Sequence, residues 1–267
     1  MGGAGVSRLE GGGIKIGGIE AICLVDGGQV FGEDVFPDLP EAEREARLAA
    51  AGLTGAETEF NAYVLRHAGG IDLVDTGCGT VFGDKGGRMA GLLAGLGIAP
   101  GDVTRILFTH LHGDHAGGAV AEGSAVFPQA EVVMHRDEAA FWQGKDTPGG
   151  AVLRAYARIT LVEDGADLGH GIRAWFLPGH TPGHMGFRLG QGAVLVGDIV
   201  HSEALQLPDP ALGPKYDSDG ALAALSRRAA LDEIADSGLI WSGSHMLGPG
   251  KFARLVRDGK GFARGPL

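Results

Sequence analysis

The chain has 267 residues, 44% hydrophobic and 21% charged, with a formal net charge of −11. That length can bury a substantial core, while the acidity speaks against a general nucleic-acid binder, which needs a basic footprint for phosphates. No run approaches the 18 apolar residues of a membrane span and the start carries no apolar leader, so a soluble, cytoplasmic protein without nucleic-acid or membrane partners is expected.

Residues 1–13, MGGAGVSRLEGGG, read as a flexible tail, and 14–267 as a single domain with no low-complexity linker. Apolar runs bounded by glycine then predict strands at 19–26, 60–67, 71–77, 104–110, 131–135, 172–180, 185–190 and 193–200, with strand character returning at 238–245. Helical spacing predicts helices at 40–52, 85–97, 136–143 and 219–238, the last with Asp219 as N-cap and Gly238 after its end. Batches of strands with helices between and after them suit two sheets packed face to face, helices outside. The irregular stretches 27–39, 144–150 and 201–218 are expected to shape a pocket. Cys23 and Cys78 lie in or beside apolar runs and read as buried thiols.

The stretch THLHGDHAGG (109–118) gathers three of the ten histidines and an aspartate into six positions. His110 and His112, two apart in an extended segment, face the same way. Asp114 and His115 follow at a turn that glycines leave uncrowded. Four such groups cannot all serve one tetrahedral ion, so the pairs 110/112 and 114/115 point to two neighbouring metals. Three further strands end in a ligand-type residue: IRAWFLPG in His180, AVLVG in Asp198 and LIWSGS in His245.

THLHGDH, GHTPGH, VGDIV and the closing SH resemble, in order and separation, the successive metal-binding motifs of the metallo-β-lactamase superfamily. The resemblance spans nearly the whole chain. It implies an α+β fold, a four-layer αββα sandwich of two mixed β-sheets with the site along one edge. It also implies that His110, His112 and His180 bind a first metal, that Asp114, His115 and His245 bind a second, and that Asp198 bridges them. In LVDTG, Asp75 would orient the ligand loop. Two divalent ions are implied, zinc foremost, although iron, manganese or cobalt would accept the same donors. The relatives suggest a homodimer.

Two cations a few ångströms apart make hydroxide available near neutral pH, so the implied chemistry is hydrolysis of a small ester, lactone or phosphotriester. Asp114, Asp198 and His201 are the candidate catalytic residues, Asp114 orienting the nucleophile. Acyl-homoserine lactonases of this fold carry a tyrosine where this chain has His201, and GDIVHSEALQLPDPALGPKYDSDG is similar to the methyl parathion hydrolase group. His201 could donate a proton to a leaving alkoxide or touch substrate, or simply pack. His184 reads as a structural neighbour of His180; His67, His135 and His170 read as ordinary strand-end or surface residues. Phe82, Phe141, Trp142 and Leu207 are candidate pocket walls. A glyoxalase II-like thioesterase is the alternative enzyme, set back by the short stretch after His245. A non-catalytic binding protein on this fold would be expected to have lost ligands.

Overall fold

The computed structural model describes residues 6–9 and 12–267. In chain order its strands and helices begin with β1 (Val6–Arg8), β2 (Ile14–Ile16), β3 (Ile19–Phe31), α1 (Glu41–Ala50), β4 (Ala56–His67), β5 (Gly70–Val74), α2 (Met89–Gly95) and β6 (Val103–Leu107). There follow α3 (Gly113–Ala116), β7 (Val120–Ala121), β8 (Ser124–Ala125), β9 (Glu131–His135), α4 (Arg136–Trp142), α5 (Pro148–Ala155) and β10 (Ile159–Val162). The remainder holds β11 (Ile172–Phe176), β12 (Met185–Leu189), β13 (Ala193–Leu195), α6 (Glu203–Gln206), α7 (Gly220–Ser237), β14 (Ile240–Ser242), β15 (Arg254–Asp258) and β16 (Gly261–Gly265).

One sheet runs in the order β1-β2-β3-β4-β5-β6-β9-β10 and a second in the order β11-β12-β13-β14. Both are mixed. In the first, β5, β6, β9 and β10 are parallel neighbours, and in the second only the β13–β14 pair is parallel.

Alternation along the strands builds three apolar layers. On β4, β6 and β9, Val64, Ile106 and Val132 face outward onto Met89 and Leu93 of α2, Trp142 of α4 and Val152 of α5. Their neighbours Tyr63, Leu65, Leu107 and Val133 face inward, against Ala174, Phe187, Leu195 and Ile240 of the second sheet. On the far side of that sheet Trp175, Val194 and Trp241 meet Ala230, Leu231 and Ile234 of α7, and Leu255 and Phe262 of the β15–β16 hairpin. Helix, sheet, sheet, helix is the resulting order, the α+β sandwich expected. As expected, Asp219 caps α7 by accepting from Leu222 N at 3.0 Å, and Gly238 closes it at φ 60°. A smaller cluster of Phe31, Val35, Phe36, Leu39 and Leu48 with Leu205 and Leu212 covers the site edge. No helix among the described residues is long and apolar enough to cross a membrane.

Several boundaries differ from the sequence reading. Val6–Arg8, placed in the expected flexible tail, pairs antiparallel with Arg8 to Val6 opposite Ile14–Ile16 as the edge of the first sheet; residues 1–5, 10 and 11 of that stretch lie outside the described residues. Strand β3 continues through Phe31 instead of ending at Asp26, because a register shift between Val25 and Gly27 restores its pairing with β4. The stretch 144–150 is partly the first turn of α5, capped by Thr147 Oγ1 accepting from Gly150 N. The predicted helix 85–97 is helical only over Met89–Gly95.

Phe187 sits fully buried between the sheets. Phe187→Ala should lower unfolding free energy by about 3–5 kcal/mol, read from urea denaturation; a loss under about 1 kcal/mol would mean the two sheets do not share this layer.

Candidate metal centre

The site lies where loops leave the ends of five strands: β5 leads to Asp75, β6 to His110–His115, β11 to His180, β13 to Asp198 and β14 to His245. Ends of parallel strands are where an α/β sheet usually presents its ligand groups. Asp198 stands in a 3₁₀ turn, Gly197–Ile199. Gly197 has φ +57°, and a Cβ there would lie 2.5 Å from His184 Nε2, so only glycine allows the close approach.

The loops bring all seven expected ligand residues together in two groups, each with ligand atoms within 4.8 Å of one another. In the first, His112 Nδ1 lies 3.0 Å from His110 Nε2 and 2.9 Å from His180 Nε2. The second comprises Asp114, His115, Asp198 and His245. His115 Nε2 is 3.2 Å from Asp198 Oδ1 and 3.5 Å from Asp114 Oδ2, while His245 Nε2 is 3.1 Å from Asp198 Oδ2. Asp198 reaches the first group as well, its Oδ2 lying 3.3 Å from His180 Nε2 and 3.7 Å from His110 Nε2. His201 forms a further grouping with His180 and Asp198, its Nε2 3.3 Å from Asp198 Oδ2.

The donor chemistry fits cations. Four imidazoles have their outward nitrogen engaged, which leaves the inward lone pair free. His115 Nδ1 meets Asp75 Oδ2 at 2.8 Å. His110 Nδ1 meets Thr109 Oγ1 at 3.1 Å, and that hydroxyl donates to Asp75 Oδ2. His180 Nδ1 meets Asp217 Oδ1 at 2.9 Å, and His245 Nδ1 meets Glu59 O at 3.0 Å. Two inward atoms, His115 Nε2 and Asp198 Oδ1, are buried without a hydrogen-bond partner, a cost that a bound cation would remove.

Electrostatics divides the cluster. Burial disfavours charge on His115, His180 and His245, yet nearby carboxylates, Asp198 foremost, raise all three, His180 to about 9. Burial wins at His110, at His112, which falls to about 3, and at His201, which falls to about 4. Burial also opposes ionisation of Asp198 and Asp114, but His115 and its neighbours hold both below the usual carboxylate range.

Asp75 does what its motif led us to expect: Oδ1 accepts from Thr109 N and Oδ2 from the Thr109 hydroxyl, with the aspartate at φ 61°, a region aspartate tolerates better than most residues. His184 accepts from Asp198 N at Nε2 and donates from Nδ1 to Leu177 O, so it fixes Asp198 and has no lone pair to offer. The sequence reading missed Asp217 and Arg227. Fully buried Arg227 pairs with Asp217 Oδ2 at 3.1 Å and donates to the carbonyls of Ile199, Pro210 and Leu212. The Tyr-Asp-Ser-Asp run was the available signal for Asp217.

A cavity of about 260 Å³ opens over the cluster, walled by Phe31, Phe60, Phe82 and Tyr216, with Gln29 and His201. Of the expected walls only Phe82 lines it. Trp142 lies beneath, its indole edge-on to His112 and its Nε1 bonded to Glu138; Phe141 packs beside that core and Leu207 packs against α7's layer. The stretch 201–218 contributes walls as expected; 27–39 does so only through Gln29 and Phe31, which belong to strand β3 and not to a loop, and 144–150 contributes none.

The family model of the metallo-beta-lactamase superfamily matches residues 60–245. The chain belongs to that superfamily. Human metallo-beta-lactamase domain-containing protein 1 is 35% identical over 123 residues, 43% of this chain and 40% of that protein. The N-acyl homoserine lactonase of Bacillus thuringiensis is 26% identical over 97 residues, 36% of this chain and 37% of the lactonase. The matched stretch therefore spans less than half the length of either relative. Among solved structures, the hydrolase AbOPH, described as in the beta lactamase superfamily, superposes with TM-score 0.87 at 27% identity, over 98% of this chain and 99% of that one. The dizinc quorum-quenching lactonase AidC shares the fold with TM-score 0.88 at 23% identity, over 98% and 97%.

The raised histidines give the metal-free protein a defined pH dependence. Stability from a raised histidine is full below its ordinary pKa and lost as pH rises through the folded value. The lowered histidines act oppositely and only below about pH 6.5. Metal-free protein should therefore lose stability between pH 7 and 9, and Asp217→Asn should flatten that decline by removing a partner of His180. Thermal denaturation across this range checks it, and a stability that rises with pH would contradict the assignment.

Proposed function

We propose that the chain is a dinuclear metal-dependent hydrolase of a small ester, lactone or phosphotriester. The observation that carries this reading is the convergence of two ligand groups on one shared carboxylate, Asp198, beneath an aromatic cavity. His110, His112 and His180 would hold one cation, Asp114, His115 and His245 the other, and Asp198 both; zinc is the cation we propose, given five imidazoles and two carboxylates. Such a pair, when bound, supplies an activated water and polarises the bond under attack.

The chain's own residues supply the rest. Phe31, Phe60, Phe82 and Tyr216 give apolar cover, and among the described residues no lysine or arginine lines the cavity, which favours an uncharged substrate body. Asp114, 14% exposed at its side chain, would accept a hydrogen bond from the attacking water. His201 stacks on His245 with ring centroids 4.9 Å apart, and its Nδ1 has no partner. Burial pushes its pKa down to about 4, so the ring is neutral at pH 7. Contact with bound substrate is thus favoured over proton donation from an imidazolium.

Initial rates of zinc-loaded protein on an aryl phosphotriester, an aryl carboxylic ester and an acyl-homoserine lactone test the reading, and no turnover of any would overturn it. Asp198→Ala should lose metal and turnover together while the far-UV circular dichroism survives; full metal content with retained rate would refute the ligand scheme. His201→Ala should lower the rate roughly threefold to tenfold, the worth of one hydrogen bond, at unchanged metal stoichiometry. An unchanged rate would reduce His201 to packing.

A further inference from the structure

Glu138 in α4 belongs to neither ligand group and is completely buried. Its carboxylate nevertheless receives four donors. Leu111 N and Trp142 Nε1 donate to Oε1 at 2.8 and 2.6 Å. Thr181 Oγ1 and Gly183 N donate to Oε2 at 2.6 and 3.2 Å. Leu111 stands between His110 and His112, and Thr181 directly follows His180. One carboxylate therefore fastens, oxygen by oxygen, the two backbone segments that carry all three imidazoles of the first group.

Those segments leave different sheets, one after β6 and the other after β11; the main-chain bond from Met185 N to Thr109 O at 2.9 Å ties their outer ends, and Glu138 ties them beside the ligand residues themselves. The fit around Glu138 is close: a Cβ on Gly183 would lie 2.1 Å from Glu138 N. Trp142, held by the same carboxylate, sets its indole edge-on to His112 with centroids 5.6 Å apart. Burial pushes the Glu138 carboxyl up, and the four donors oppose that by stabilising the ionised form. An oxygen pair that only accepts matches four groups that only need an acceptor.

We infer that Glu138 is a positioning residue for the His110–His112–His180 cation site, clamping the two loops at the separation where three ring nitrogens converge. It touches neither cation nor substrate. The inference rests on the reading of those three histidines as ligands, and it separates from a merely structural role by selectivity: a structural residue would weaken the whole fold or both cation sites, whereas this clamp serves one.

Zinc binding to metal-free wild type and Glu138→Gln, measured by competition with a chromophoric chelator and paired with far-UV circular dichroism, tests it. The amide replaces one acceptor by a donor, so one of the two donor pairs is left facing another donor. Wild type should bind two zinc ions; Glu138→Gln should keep one at wild-type affinity and bind the other about 10- to 100-fold more weakly, the usual scale for groups that orient ligands. The same loss should reappear in a His245→Ala background, which dismantles the second group. Should Glu138→Gln fail to fold, Thr181→Val removes one donor, keeps the carboxylate, and should show a smaller loss at the same site. Unchanged affinities in the variants, or equal losses at both sites, would overturn the inference. A wild type that binds no zinc would instead overturn the metal-centre reading itself, and the inference with it.

Discussion

Five imidazole nitrogens lie within 3.7 Å of one carboxylate that is 2% exposed, that of Asp198. So many polar groups taken out of water in one place carry a heavy desolvation cost unless each is paired. Partial protonation relieves some of it, which is why His115, His180 and His245 gain protons more readily while His110, His112 and His201 resist them. It does not relieve all of it, since His115 Nε2 and Asp198 Oδ1, 3.2 Å apart, face each other without hydrogen-bond geometry. The proposed pair of cations answers both the excess of lone pairs and the unpaired atoms.

Much of the surrounding architecture can be understood as support for that cluster. The two sheets bring loops from β6, β11, β13 and β14 to one edge, and four of the imidazoles there, those of His110, His115, His180 and His245, are turned inward by a partner on the outer nitrogen: Thr109, Asp75, Asp217 and Glu59 O in turn. Those partners are anchored in turn. Asp75 is tied to Thr109 N, and Asp217 is tied to buried Arg227, which also gathers the carbonyls of Ile199 and, in the 201–218 loop, of Pro210 and Leu212. Tyr216 beside Asp217 forms part of the cavity wall, so one loop serves both the pocket and a ligand.

The parts of this plan that were legible in the sequence are local or repetitive. H-x-H-x-D-H is compressed into six positions, and apolar runs ending in His180, Asp198 and His245 announce strands whose ends meet. Glycine-bounded apolar runs, in batches with helices between and after them, pointed to the layers. The groups that organise the site from a distance left no such trace. Glu138 reaches Leu111 and Thr181, 27 and 43 residues away, and in the sequence it is one more acidic residue on a short helix. Asp217 lies 37 residues from His180. The cavity walls were misjudged for a related reason: Phe31 and Phe60 belong to long strands whose inward faces depend on pairing past the Val25–Gly27 register shift, while Trp142 was claimed by Glu138 and Leu207 by the α7 layer. The short edge elements β1, β15 and β16 lack enough apolar residues to stand out, and glycines at 149 and 150 disguised the start of α5.

The central claim is that two cations share Asp198 within this cluster. The most direct test is the anomalous scattering of crystals of the zinc-loaded protein at the zinc absorption edge. The account predicts two peaks, one among His110, His112 and His180 and the other among Asp114, His115 and His245, with Asp198 touching both. A single peak, or one seated on His201 with either group empty, would contradict it.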